Sequence, residues 1–164
     1  VILPDMIMKA SPGCLSQMVE VYNARNGGNV IAVEETPWEH VHRYGVVGGA
    51  DWKDNHFTIN QMVEKPKREA APSNLIISGR YILQPEIFAI LDKKEKGAGG
   101  EIQLTDAMAR MIGQQPFHAV TFAGRRYDCG SKTGFVEATL AIALEREDMA
   151  DEVRGIAKRL LAEG

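Results

Sequence analysis

Asn26-Gly27-Gly28-Asn29-Val30-Ile31-Ala32-Val33 is the stretch that decides the fold class. Before it, Leu15, Met18, Val19 and Tyr22 recur at the spacing of an amphipathic helix, which predicts helix from Cys14 to Asn26. The glycine pair ends that helix in the usual way, because glycine takes up the left-handed backbone without steric cost. Val30 to Val33 then read as a strand apolar on both faces, suited to the middle of a sheet. Helix, glycine turn and buried strand together make an α/β unit.

The same alternation runs in both directions. Val1–Leu3 reads as the end of a buried strand stopped at Pro4-Asp5. Pro37–Arg43 predicts a helical turn, and Tyr44–Val47 and Phe57–Val63 predict strands around a polar loop, Gly48–His56. After a charged loop, Pro66–Pro72, a further strand spans Asn74–Leu83. Its Gly79 marks a place where a ligand or a second backbone approaches closely. Pro85 opens a helix through Leu91, Lys93–Gly100 is a loop, and Glu101–Ile112 is a helix. Strands Phe117–Phe122 and Arg126–Tyr127 precede helices over about Lys132–Arg146 and Met149–Ala162. A mixed α/β domain with a helical tail is expected.

The 164 residues are 45% hydrophobic and 25% charged, enough for one globular core. A formal net charge of −3 gives no basic field to hold nucleic acid or an acidic membrane surface. The apolar runs are too short for a signal peptide or a membrane span. Cys14 and Cys129 have neither metal-ligand nor disulfide-framework spacing, so they read as small buried hydrophobes in a reducing, cytoplasmic compartment. No Gly-x-Ser-x-Gly and no P-loop occurs.

Val63-Glu64-Lys65-Pro66 sets a carboxylate beside an ammonium where a strand meets a proline. A carboxylate suits sugar hydroxyls and an ammonium suits a phosphate, so the pair fits a sugar phosphate, or else a plain surface turn. Asp5 and Asp128 each follow a strand, where ligands of α/β sheets bind. Each reads as a metal ligand or as a turn cap. Two carboxylates without a histidine or cysteine cluster favour a hard cation such as Mg²⁺ over zinc. Gly99-Gly100-Glu101 offers backbone N–H groups and a carboxylate at a helix start, or simply an acidic first turn.

In sequence order, Leu3-Pro4-Asp5, Gly28–Glu35, Arg43-Tyr44-Gly45-Val46-Val47 and Val63-Glu64-Lys65-Pro66 resemble the sugar-nucleotide pyrophosphorylase family, in particular its bacterial UTP–glucose-1-phosphate uridylyltransferases. Pro72–Leu75 with Gly79–Leu83, Gly97–Ala107 and Gly124–Gly130 complete the set. The resemblance implies a Rossmann-like mixed sheet of the nucleotide-diphospho-sugar transferase type with C-terminal helices. The family's glycine-rich nucleotide loop would lie upstream of Val1. Residues 1–164 are therefore expected to be the C-terminal portion of one catalytic domain, lacking its N-terminal strands. Such a portion is expected to leave a sheet edge unpaired and to be inactive alone.

By the same resemblance, Asp5 and Asp128 hold Mg²⁺, Gly45 offers its backbone to the sugar, Glu64 accepts from sugar hydroxyls and Lys65 holds the phosphate. Ile77 is implied as a backbone contact to the sugar, and Glu101 as a residue that fixes the sugar or its loop. The catalytic set is Lys65, Asp5 and Asp128. The implied reaction joins UTP and glucose 1-phosphate into UDP-glucose and pyrophosphate, in a homo-oligomer with no nucleic-acid or membrane partner. Transfer of another nucleotide (thymidine, adenine or cytidine) and a non-catalytic sugar-nucleotide-binding module are the alternatives.

Overall fold

The computed structural model describes residues 1–163 and divides into two compact units. The larger comprises Val1–Leu3 and Lys9–Gly124. Its helix α1 (Cys14–Ala24) ends at Arg25, after which Asn26, Gly27 and Gly28 all take positive φ. The Gly27 N–H donates to the Tyr22 carbonyl at 2.8 Å. The glycine stop thus lies where the sequence puts it, but the buried face does not. Cys14, Gln17, Met18 and Val21 are buried, whereas Leu15 and Val19 are exposed. Gln17 explains the rotation. Its amide donates to the carbonyls of Pro12 and Ala123 and accepts from the Ala123 N–H, so a polar residue is held inside with its hydrogen bonds met.

Strands β2 (Asn29–Glu35), β3 (Gly45–Lys53), β4 (His56–Glu64), β5 (Leu75–Ile82) and β6 (Phe117–Thr121) form the sheet. Their order is β2-β5-β3-β4-β6, with β6 returning to pair with β2. Only β2 and β6 run parallel, so the sheet is mixed, as expected. Within this sheet every one of the five strands has two neighbours, because β6 pairs with both β2 and β4. The expected loop Gly48–His56 is instead largely strand, since β3 and β4 continue as a hairpin to Lys53 and His56. Backbone pairing there outweighs the poor strand propensity of Gly48, Gly49 and Asp51.

One face of the sheet, with Ile31, Val33, Val47, Phe57, Ile59, Met62, Phe117 and Ala119, packs on Ile87, Ala107, Met108 and Met111. The last four come from or follow α2 (Ile87–Leu91) and α3 (Leu104–Ala109), both shorter than the sequence predicts. Removing a side chain such as Phe57 or Met108 from water stabilises the fold by about 1.5–3 kcal/mol.

A bulge decides which β4 residues join this face. Gly48 pairs with Gln61 while Gly49 pairs with Ile59, so Asn60 is an extra residue on β4. Phe57 and Ile59 face inward before it, and Met62 and Glu64 after it. The burial of Phe57, Ile59 and Met62 and the exposure of Asn60 and Gln61 follow from this shift. Val1 and Ile2, expected in a buried strand, are each 59% exposed. They run antiparallel beside β5, with Leu3 donating to the Gly79 carbonyl, so a second backbone is what approaches Gly79.

The second unit comprises Pro4–Met8 and the chain from Arg125 onward. Strand β1 (Met6–Lys9), which the sequence does not suggest, pairs with β7 (Arg125–Asp128) in a two-stranded sheet. Helix α4 (Lys132–Ala143) starts at Ser131, whose Oγ accepts from the Gly134 N–H at 3.1 Å. Helix α5 (Ala150–Glu163) follows.

Candidate active site

Glu64 closes β4 directly opposite Gly45, which opens β3. Because Gly45 has no side chain, three others close on its Cα. A Cβ there would lie 2.8 Å from Thr105 Oγ1, 3.0 Å from Glu64 Oε2 and 3.0 Å from Ile77 Cδ1. Ile77 comes from β5 and Thr105 from α3, and both are buried. Four elements therefore converge on one bare stretch of backbone, with a carboxylate and a hydroxyl facing it.

Lys65 breaks the strand. Its φ is +46°, a left-handed conformation that costs a non-glycine residue of order 1–3 kcal/mol. The Lys65 N–H donates to the Tyr44 carbonyl at 2.9 Å, which holds the kink. In a regular strand Glu64 and Lys65 would point to opposite faces. The kink brings Lys65 Nζ to 3.7 Å from Glu64 Oε1. The Lys65 side chain is about half exposed while that of Glu64 is 9% exposed.

Glu101 does not join this cluster around Gly45. It lies exposed before α3, its Oε2 accepting from Gln103 Nε2 at 3.2 Å. Thr105, which the sequence analysis does not single out, faces Gly45. The available signal was a hydroxyl residue three positions before Met108, on the buried face of the helix.

Within the second unit, Asp5 and Asp128 come together at Gly130. A Cβ on Gly130 would sit 3.0 Å from Asp5 Oδ2 and 3.1 Å from Asp128 Oδ1. The Cys129 N–H donates to the Asp5 carbonyl at 2.8 Å, which ties the two segments. Asp128 Oδ1 also accepts from the Gly130 N–H at 3.1 Å, and its Oδ2 lies 3.7 Å from Arg126 Nη1. Two hard oxygen donors thus face a space that a single methyl group would fill. Among the described residues no group of three or more histidine, cysteine, aspartate or glutamate side chains converges as a metal cage. A pair of carboxylates suits a cation that takes its remaining oxygens from phosphate and water, as Mg²⁺ does.

The class of protein is defined by comparison with known families. The nucleotidyl transferase family profile matches residues 1–145, and the chain belongs to that family. Among curated relatives, the UTP–glucose-1-phosphate uridylyltransferase of Staphylococcus epidermidis is 43% identical over 98% of this chain and 55% of its own length. That of Komagataeibacter xylinus is 48% identical over 80% of this chain and 46% of its own. The chain thus spans about half the length of the curated relatives it matches.

Solved structures agree. A UDP-glucose pyrophosphorylase complexed with UDP-glucose superposes with a TM-score of 0.84 at 41% identity, over 89% of this chain and 56% of the other. The UTP-bound UGPase from Acinetobacter baumannii gives 0.82 at 35% identity, over 98% and 55%. No helix among the described residues is long and apolar enough to cross a membrane.

Proposed function

We propose that this chain is the sugar-phosphate-binding part of an enzyme that makes UDP-glucose and pyrophosphate from UTP and glucose 1-phosphate. The observation that carries the reading is the closure of Glu64, Ile77 and Thr105 on Gly45, with Lys65 kinked back over Glu64. The names of the relatives supply the substrates.

In this reading the bare backbone at Gly45 lets the hexose ring approach. Glu64 accepts hydrogen bonds from its hydroxyls, Ile77 lines the ring, and Lys65 leaves Glu64 to pair with the phosphate. A phosphate oxygen of glucose 1-phosphate attacks the α-phosphorus of UTP, a P–O bond forms, and the bond to the β-phosphate breaks to release pyrophosphate. No protein nucleophile is required. The chain contributes by positioning and by charge at the reacting phosphate. Asp5 and Asp128 would hold Mg²⁺, which when bound neutralises phosphate charge. Glu101 acts at most on the loop before α3. We place the enzyme in the cytoplasm and in a homo-oligomer. Exposed Phe135, Leu140, Leu160 and Leu161 on α4 and α5 support the latter.

Calorimetric titration of the chain with glucose 1-phosphate and with UDP-glucose tests the proposal. Saturable binding of both, lost in Glu64→Ala, is expected. Equal heats from the parent chain and Glu64→Ala would show that the grip is not at Gly45.

A further inference from the structure

Helix α3 brings one buried hydroxyl, that of Thr105, to the grip at Gly45. A threonine deep in a helix can spend its hydroxyl on the carbonyl four residues back. Thr139 on α4 does so, its Oγ1 donating to the Phe135 carbonyl at 2.8 Å. Thr105 stands in the first turn of α3, and the chain before it is extended at Gln103, so no helical carbonyl lies behind its hydroxyl. Among the described residues Thr105 Oγ1 has no hydrogen-bond partner. Nor is it closed off. Ser78 Oγ on β5, also unpaired, is sealed from solvent, whereas Thr105 Oγ1 is not among the sealed atoms.

Two oxygens flank the same point over Gly45, Thr105 Oγ1 at 2.8 Å and Glu64 Oε2 at 3.0 Å. They are therefore at most two hydrogen-bond lengths apart, a gap that one ligand oxygen bridges. Lys65 pairs with the other carboxylate oxygen, Oε1, which leaves Oε2 on the side of Thr105. The two groups complement each other toward a sugar. A carboxylate only accepts, so it takes the proton of a hydroxyl and leaves the lone pairs of that hydroxyl unmet. The hydroxyl of Thr105 can donate to those lone pairs.

We infer that Thr105 is a substrate-selecting residue: one hydroxyl of the hexose donates to Glu64 Oε2 and accepts from Thr105 Oγ1. This rests on the reading of the Gly45 grip as a hexose-phosphate site. A hexose that lacks this hydroxyl, or carries it on the opposite face of the ring, leaves both protein oxygens unpaired in a buried place. Sites of that kind reject an analogue far more strongly than an apolar pocket does. Ile77 Cδ1, also 3.0 Å from the point over Gly45, offers a displaced hydroxyl no polar partner.

The test titrates the whole chain by calorimetry with glucose 1-phosphate and with its monodeoxy analogues, one for each sugar hydroxyl. In the unmodified chain one analogue should bind more weakly than the rest, which marks the bridged hydroxyl. Thr105→Val keeps the shape and removes the hydroxyl. It should weaken the Kd for glucose 1-phosphate about 3–30-fold, the range for losing one hydrogen bond in a buried site, and leave the Kd of the marked analogue unchanged. Thr105→Ser, which keeps the hydroxyl, should retain most of the affinity. An equal loss across all analogues would reduce Thr105 to a packing role and overturn the inference, as would a loss in Thr105→Ser matching that in Thr105→Val. Should Thr105→Val melt below the assay temperature, Thr105→Ser and the analogue series on the unmodified chain still decide: equal affinity for every analogue counts against a bridged hydroxyl. Equal heats from the unmodified chain and Glu64→Ala would remove the hexose-phosphate reading and the inference with it. Saturable binding that needs Glu64 and is unchanged in Thr105→Val would remove the inference and leave the reading standing.

Discussion

Gly45→Ala puts a methyl group where four elements meet. Its Cβ would lie 2.8 Å from Thr105 Oγ1 and 3.0 Å from both Glu64 Oε2 and Ile77 Cδ1. Comfortable heavy-atom separations are about 3.5–4.0 Å, so each neighbour must retreat by roughly 0.5–1 Å. Ile77 is 8% exposed and Thr105 7%, and neither has open space to move into. Overpacking of this kind costs about 1–3 kcal/mol. At roughly 2–4 °C per kcal/mol for a chain of this size, the melting temperature should fall by about 2–12 °C. Scanning calorimetry of the chain and the variant measures this. Thr105→Ala removes the nearest obstructing atom, so the double variant should recover part of the loss, with a coupling of about 0.5–3 kcal/mol. Unchanged melting in Gly45→Ala, or strict additivity in the double variant, would refute the convergence on Gly45.

Lys65→Gly should stabilise the fold by about 1 kcal/mol, because glycine takes the positive φ without strain; urea unfolding reads the sign. In an enzyme that contains this chain, Lys65→Ala should lower turnover roughly 10²–10³-fold, the scale for removing one preorganised charge at the reacting group, and near-normal turnover would exclude Lys65 from phosphate binding. Gly130→Ala should weaken divalent-cation binding by filling the space between Asp5 and Asp128, read by Mn²⁺-induced broadening of signals from the second unit. The buried imidazole of His118 has its pKa lowered in the fold. The unfolded chain therefore takes up the proton first, and stability should fall as pH drops below about 6.5, until the folded ring also protonates. His118→Gln should flatten that part of the stability profile, as followed by thermal melts across pH.

The order of helices and strands was legible wherever periodicity and punctuation agreed. The Gly27-Gly28 stop and the apolar run Val30–Val33 are examples. What was not legible depends on partners distant in sequence. Strand β1 exists because it pairs with residues more than a hundred positions away. The buried face of α1 turns on Gln17, whose partners at Ala123 no local pattern reveals. At the candidate site Gly45, Glu64 and Ile77 meet in space together with Thr105, which no motif marks. A motif preserves the neighbourhood of a site, but the turn of a helix selects which of its residues points inward.

The unpaired Asn60 acts as a parity counter for the grip. With it, the side chains that reach the sheet's inner face run Phe57, Ile59, Met62, Glu64. Remove Asn60 while keeping the pairing at the hairpin end, and β4 becomes regular with Glu64 still opposite Gly45; add one residue there without a second bulge, and Val63 replaces Glu64 beside Gly45 as Met62 turns outward. Loss of the one bulged residue is therefore compatible with the site, whereas a one-residue gain is compatible only with a second bulge, or where the mismatch can slide into the Asp54-Asn55 turn. The tip of the hairpin can drift in length among descendants of this chain, but the arm between tip and grip has to keep count.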